Sequence, residues 1–150
     1  MKTFTVIIEY DKEIGNWIRE SFSKDIPIFV AIDYDRIYGL EHLEIAYYHA
    51  YRRYKHNKMK ASTLSMETIL FAALTLQINL AIQRVGISNA TKNVALLGDF
   101  DLPNSVKKVD EYNVEITKAF LDNLSIGDCK NRKECIDTII EKMALLELLQ

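Results

Sequence analysis

The segment Met66–Val85 limits the folds open to this chain more than any other. From Ile69 to Leu74 every position is apolar, and Leu76, Ile78, Leu80, Ala81 and Ile82 carry apolar groups on around the cylinder of a helix. Ser65 offers an N-cap, Glu67 an acid in the first turn and Gly86 a stop, so the pattern predicts one helix over about Met66–Val85. A one-sided surface helix keeps a polar face. A helix apolar all round is covered on both sides by its own fold, or it holds one side for a partner. Both readings require further layers around it. A chain of 150 residues, 49% apolar and 27% charged, is long enough to build such a core without staples.

The other layers are legible in outline. Thr3–Glu9 is short, β-branched and apolar, and reads as a strand. Asp11 or Lys12 opens a helix whose Ile14, Trp17, Ile18 and Phe22 fall on one stripe. Ile28–Ile32 and Asn93–Leu97 have the length and composition of further strands. Leu40–Asn57 is the clearest helix, with Leu40, Leu43, Tyr47, Ala50, Tyr51 and Tyr54 on one face and Asn57 as its stop. Val109, Tyr112, Ile116, Phe120 and Leu124 predict a helix from about Ser105 to Leu124. Asn131 and Glu134 resemble a capping box ahead of a last helix, with Ile136, Ile139, Ile140, Met143 and Leu146 on its apolar face. The expected fold class is α/β in the mixed α+β sense. A small sheet of about three to four strands packs with several helices in a single domain spanning 1–150.

Catalytic patterns are missing. The sequence has no GxGxxG or GxxxxGK[ST] loop, no HExxH, no CxxC and no nucleophile elbow. The expectation is a binding protein and not an enzyme, with no cofactor and no small-molecule substrate. Met1–Tyr10 lacks the layout of a signal peptide, and no apolar stretch approaches the roughly 18 residues of a membrane span. The expected location is cytoplasmic, with Cys129 and Cys135 both reduced. Two cysteines are too few for a closed zinc site. His42, His49 and His56 recur every seven residues, so neighbours are about 10 Å apart along a helix and share no metal ion. They fall roughly opposite the Leu40/Tyr47/Tyr54 stripe. They read either as exposed polar residues or as hydrogen-bond donors to a polyanion.

Charge is unevenly placed. Residues 45–98 carry seven Lys/Arg against a single acid, Glu67, while both flanks are acidic. Arg52, Arg53, Lys55, Lys58 and Lys60 crowd into nine residues. Such crowding is relieved by a bound anion, as a phosphate backbone would supply, with Tyr48 or a histidine free to stack on a base. The run reads equally as a solvated helix end suited to the helix dipole. Arg84 and Lys92 are candidates to extend the patch.

The stretch Gly39–Ile87 resembles the small kinase-binding subunit of the KEOPS complex, the PRPK-binding protein family, in its archaeal form. The resemblance rests on Glu41-His42-Leu43, Ala46, His49-Ala50, Arg52-Arg53, Glu67, Gln77-Ile78, Ala81-Ile82 and Gly86-Ile87, in that order. Where the family carries an Arg before the Gln-Ile pair, this chain has Leu76. The resemblance implies a non-catalytic subunit of the machine that makes threonylcarbamoyladenosine in tRNA. Such a subunit docks on and modulates a small atypical kinase/ATPase and helps hold tRNA near its 3′ CCA end. It implies a kinase interface at Leu74, Gln77, Ile78, Ala81 and Ile82. The RNA-binding residues would be Arg52, Arg53, Lys55, His56, Lys58, Lys60 and Arg84. A stand-alone RNA-binding module is the alternative that the basic run alone supports.

Overall fold

The computed structural model describes residues 4–149; Thr3, where the first strand is expected to begin, lies outside them. The strands β1 (Phe4–Glu9), β2 (Phe29–Asp33), β3 (Asn93–Gly98) and β4 (Lys108–Val109) form one antiparallel sheet in the order β2-β3-β1-β4. Ala95 of β3 stands between Ile7 of β1 and Ile32 of β2. Side chains alternate across a pleated sheet. Ile7, Val30, Ile32, Ala95 and Leu97 therefore face one way, and Ile8, Phe29, Ala31, Val94 and Leu96 the other.

Those two faces are covered unequally. Helix α1 (Lys12–Phe22) lies on the Ile8 face. Its first turn is capped by Asp11, whose carboxylate accepts from the Ile14 N–H at 2.8 Å. Ile14 and Ile18 are buried there, and Trp17 meets Phe29 edge-on at 5.6 Å. The other face carries α2 (Leu40–Lys55), α3 (Leu64–Ala72), α4 (Ile78–Val85), α5 (Lys118–Asn123) and α6 (Arg132–Glu147). This is the mixed α+β class that the periodicities predict, with four strands and six helices among the described residues.

Several elements differ from expectation. The segment expected as one helix over Met66–Val85 is two, α3 and α4. Thr63, not Ser65, caps α3, accepting from the Met66 N–H at 3.1 Å, while Ser65 Oγ accepts from the Phe29 N–H at 2.9 Å. At the far end Leu74 adopts φ 58°. The Thr75 N–H then bonds the Leu70 carbonyl and the Leu74 N–H bonds the Phe71 carbonyl. That pair of bonds closes a helix with a left-handed residue, usually glycine. With a leucine in that position, no residue in the sequence marks the stop.

The helix expected over Ser105–Leu124 is mostly absent. Residues 108–109 pair with β1, a run without regular structure follows, and only Lys118–Asn123 is helical. The backbone of that run is engaged across the fold, with Tyr34 Oη donating to the Tyr112 carbonyl at 2.7 Å. Asn131 does cap α6, accepting from the Glu134 N–H at 2.9 Å. That start folds Cys135 back over the loop, and Cys135 pairs with Cys129 in a disulfide across Cα atoms 5.4 Å apart. The expectation of two reduced thiols is thus corrected.

The buried side of α2 is also displaced. His42, Leu43, Ala46, Ala50 and Arg53 face the core, whereas Tyr51 and Tyr54 are exposed. Relative to the expected stripe, the helix is turned by about 90° about its axis. The small Ala46 and Ala50 let α3 approach closely, which no tyrosine would allow.

Candidate partner-binding surfaces

Helix α4 presents the first surface. Its period puts Ala81 and Val85 in the core, both with no exposed area, while Ile78 and Ile82 are 42% and 49% exposed. These two isoleucines are one turn apart and form an apolar ridge. Gln77 stands exposed at the start of the same helix. Leu74 is half-buried at the break between α3 and α4. So Gln77, Ile78 and Ile82 are exposed together on α4, Leu74 packs partly against the core just before it, and Ala81 is corrected to a core residue.

Arg84 belongs to this junction and not to the basic run. Its Nη1 donates to the Ala73 carbonyl at 2.9 Å and to the Leu74 carbonyl at 3.3 Å. It ties off the carbonyls left open by the break in the helix. It is half-buried and is not among the residues that line the basic cavity at the end of α2.

The second surface is the C-terminal end of α2 with the turn after it. Asn57 has φ 55°, and the Lys58 N–H returns to the Arg53 carbonyl at 2.9 Å. Arg52, Arg53, His56, Lys58 and Lys60 line a cavity of about 540 Å³ together with Glu147 at the end of α6 and Leu149 just past it. Lys55 lies outside this lining, its Nζ over the Tyr51 ring at 5.7 Å from the centroid.

Arg53 reads differently from its neighbours. It is 3% exposed. Its Nη2 donates to the carbonyls of Leu146, Glu147 and Leu149 at 2.8, 3.0 and 2.7 Å, and its Nη1 to the Lys58 carbonyl at 3.3 Å. Glu67, wholly buried, stands 3.7 Å from that Nη1. The other Glu67 oxygen accepts from the Lys60 and Ala61 N–H groups at 2.9 and 2.8 Å. A buried charge requires a partner, and this pair shapes the turn that displays Lys58 and Lys60. Arg53 is therefore corrected from an RNA contact to a positioning residue. The sequence held a signal for this: Glu67 is the one acid among residues 45–98 and sits in an apolar helix.

The three histidines separate. His42 is sealed in the core, contrary to the surface position expected of it. His49 is half-buried, its Nδ1 2.6 Å from a Glu147 oxygen and its ring stacked on Phe71. His56 is exposed. Arg52 Nε donates to the other Glu147 oxygen at 3.0 Å. These bonds hold the Glu147 carboxyl below the usual carboxylate range, against the burial that raises it. Glu147 went unnoticed in the sequence because it lies 95 residues from Arg52, and nothing local marks it.

Among the described residues, no three His, Cys, Asp or Glu side chains gather to hold a metal ion, and no helix is long and apolar enough to cross a membrane. The two surfaces offer apolar contact at α4 and cationic contact at the end of α2. A model of the family described as kinase binding protein CGI-121 matches residues 8–146. No curated protein gives a significant match.

Proposed function

We propose, because the chain belongs to the CGI-121 family of kinase-binding proteins, that it is a regulatory subunit of the KEOPS tRNA threonylcarbamoyladenosine complex. In this reading it works in the cytoplasm, without a cofactor or catalysis of its own. It docks on the small atypical kinase/ATPase subunit through α4 and modulates it. It binds tRNA near the 3′ CCA end through the basic cavity at the end of α2.

The observation that carries the kinase reading is the split character of α4. Ile78 and Ile82 stand half in water while Ala81 and Val85, on the reverse of the same helix, are sealed. An exposed apolar ridge beside a polar neighbour, Gln77, has the makeup of a binding face. Leu74 borders that face. The tRNA reading is supported by the four exposed basic groups among those lining one cavity, Arg52, His56, Lys58 and Lys60, with Lys55 outside the lining. Phosphate contacts of this kind position a nucleic acid without reading its sequence.

Ile78→Glu is the deciding variant. A charge at an exposed position leaves the fold intact, which circular dichroism checks, and it places an unpaired carboxylate in the buried interface. The expected outcome is a folded protein that no longer co-elutes with the kinase subunit. Co-elution at wild-type strength would remove α4 from the interface. If that variant loses nothing while tRNA binding persists in the purified chain, the stand-alone RNA-binding reading takes over.

A further inference from the structure

Strand β2 is an outer strand, paired only with β3. Helix α1 lies on one face of the sheet and the α3–α4 pair on the other. Between them, over the open edge of β2, runs a groove of about 350 Å³. Ile18 and Phe22 of α1 form one wall, and Met66, Ile69 and Ile82 of α3 and α4 form the other. Ala31 of β2 is on its floor. Phe22 is 50% exposed at the rim although it continues the stripe of Ile14 and Ile18.

We infer that the kinase partner fills this groove with an apolar anchor side chain, so that its interface runs from Ile78 across Ile82 to Phe22. The inference rests on the kinase reading of α4 given above and extends it to an element that reading does not use. Ile82 belongs to both features, being exposed on the ridge of α4 and part of the groove wall. A partner that takes Ile82 out of water must close over the mouth of the groove. Leaving the groove empty would strand apolar wall on both sides of a dry contact, whereas filling it adds the fully desolvated centre on which interface energy concentrates. Next to the groove, at the start of β2, the Phe29 N–H is already taken by Ser65 Oγ at 2.9 Å.

The probe is the purified atypical kinase subunit, titrated calorimetrically against the full chain and three variants. Phe22→Glu is expected to weaken binding by about tenfold or more, with an unchanged circular dichroism spectrum. Leu145→Glu, on the exposed side of α6, is expected to bind within about twofold of wild type. Ile78→Glu is the reference that abolishes binding. Phe22→Glu binding like wild type while Ile78→Glu fails would overturn the groove and leave the kinase reading standing. Wild-type binding by both would overturn the kinase reading itself. Should Phe22→Glu unfold, hydrogen exchange on the wild-type chain decides: kinase-induced protection of amides 18–22 supports the groove, and unchanged exchange there sinks it. A wild-type dimer, seen by gel filtration without kinase and protected over the same amides, would assign the groove to a second copy instead.

Discussion

His42 is held between two backbone groups that dictate its tautomer. The Tyr38 N–H points at Nδ1, 3.2 Å away, so Nδ1 carries the lone pair. Nε2 then carries the hydrogen and donates it to the Ala72 carbonyl at 2.8 Å. A second proton would face an N–H donor in a fully buried site. Burial pulls the His42 pKa down from 6.5 to about 4, against the smaller upward pull of the Ala72 bond. The unfolded chain therefore takes up a proton between those two values that the folded chain refuses. His42 contributes to stability above about pH 6.5, and that contribution fades as pH falls toward about 4, by a total on the order of 3 kcal/mol. Urea unfolding at pH 7 and pH 4.5 measures the loss. His42→Gln is expected to flatten that part of the profile, and an unflattened profile would assign the acid sensitivity to other groups. Arg53 is a second residue whose neighbours define it. Arg53→Ala leaves Glu67 as an uncompensated buried charge and is expected to cost about 3–5 kcal/mol in urea unfolding. Arg53→Lys is expected to recover only part, since an ammonium cannot reach several carbonyls at once as the planar fork does. Full recovery by lysine would mean that charge alone matters there.

Three helices stop in the same way, and none of them uses glycine. Asn57, Leu74 and Ser125 have φ of 55°, 58° and 58°. In each the next N–H returns to a carbonyl five residues back: Lys58 to Arg53, Thr75 to Leu70, Ile126 to Leu121. Asparagine tolerates this conformation and leucine does not favour it. The strain at Leu74 is outweighed by the packing of α3 against the core and by Arg84, which bonds the Ala73 and Leu74 carbonyls. A β-branched side chain of the same size makes the conflict worse. Leu74→Ile is expected to lower stability by about 1–2 kcal/mol, while Leu74→Gly gives up side-chain packing but regains a similar amount from the backbone. Thermal unfolding of both variants distinguishes them, and equal destabilisation in both would show that packing governs the position. The stop is also what creates the α4 surface. With α3 closed at Leu74, α4 starts anew at Ile78, and its Ile78–Ile82 ridge is left in water.

At the scale of the molecule, the basic middle and the acidic C-terminal flank meet at one place. The α2 end gathers the cations around one cavity, and Glu147 of α6 is the acid that enters it. If tRNA binds there, affinity falls steeply with salt. Lys58→Glu with Lys60→Glu is expected to weaken binding and to reduce the slope of log affinity against log salt by about one for each phosphate left without its cation. Filter binding over a range of salt measures both quantities, and an unchanged slope would move the RNA elsewhere. What the sequence determined by itself is what rests on near neighbours. The β1, β2 and β3 strands, Ile14 and Ile18 of the α1 stripe and the Asn131 cap depend on spacings of a few residues, and they are where the pattern puts them. Tertiary structure decided the rest. Which side of α2 turned inward depended on the close approach of α3 to Ala46 and Ala50. Arg53 was drawn from the surface by Glu67 and by carbonyls more than ninety residues away. Long-range partners of this kind leave no local period, so their effects are fixed only when the chain has closed on itself.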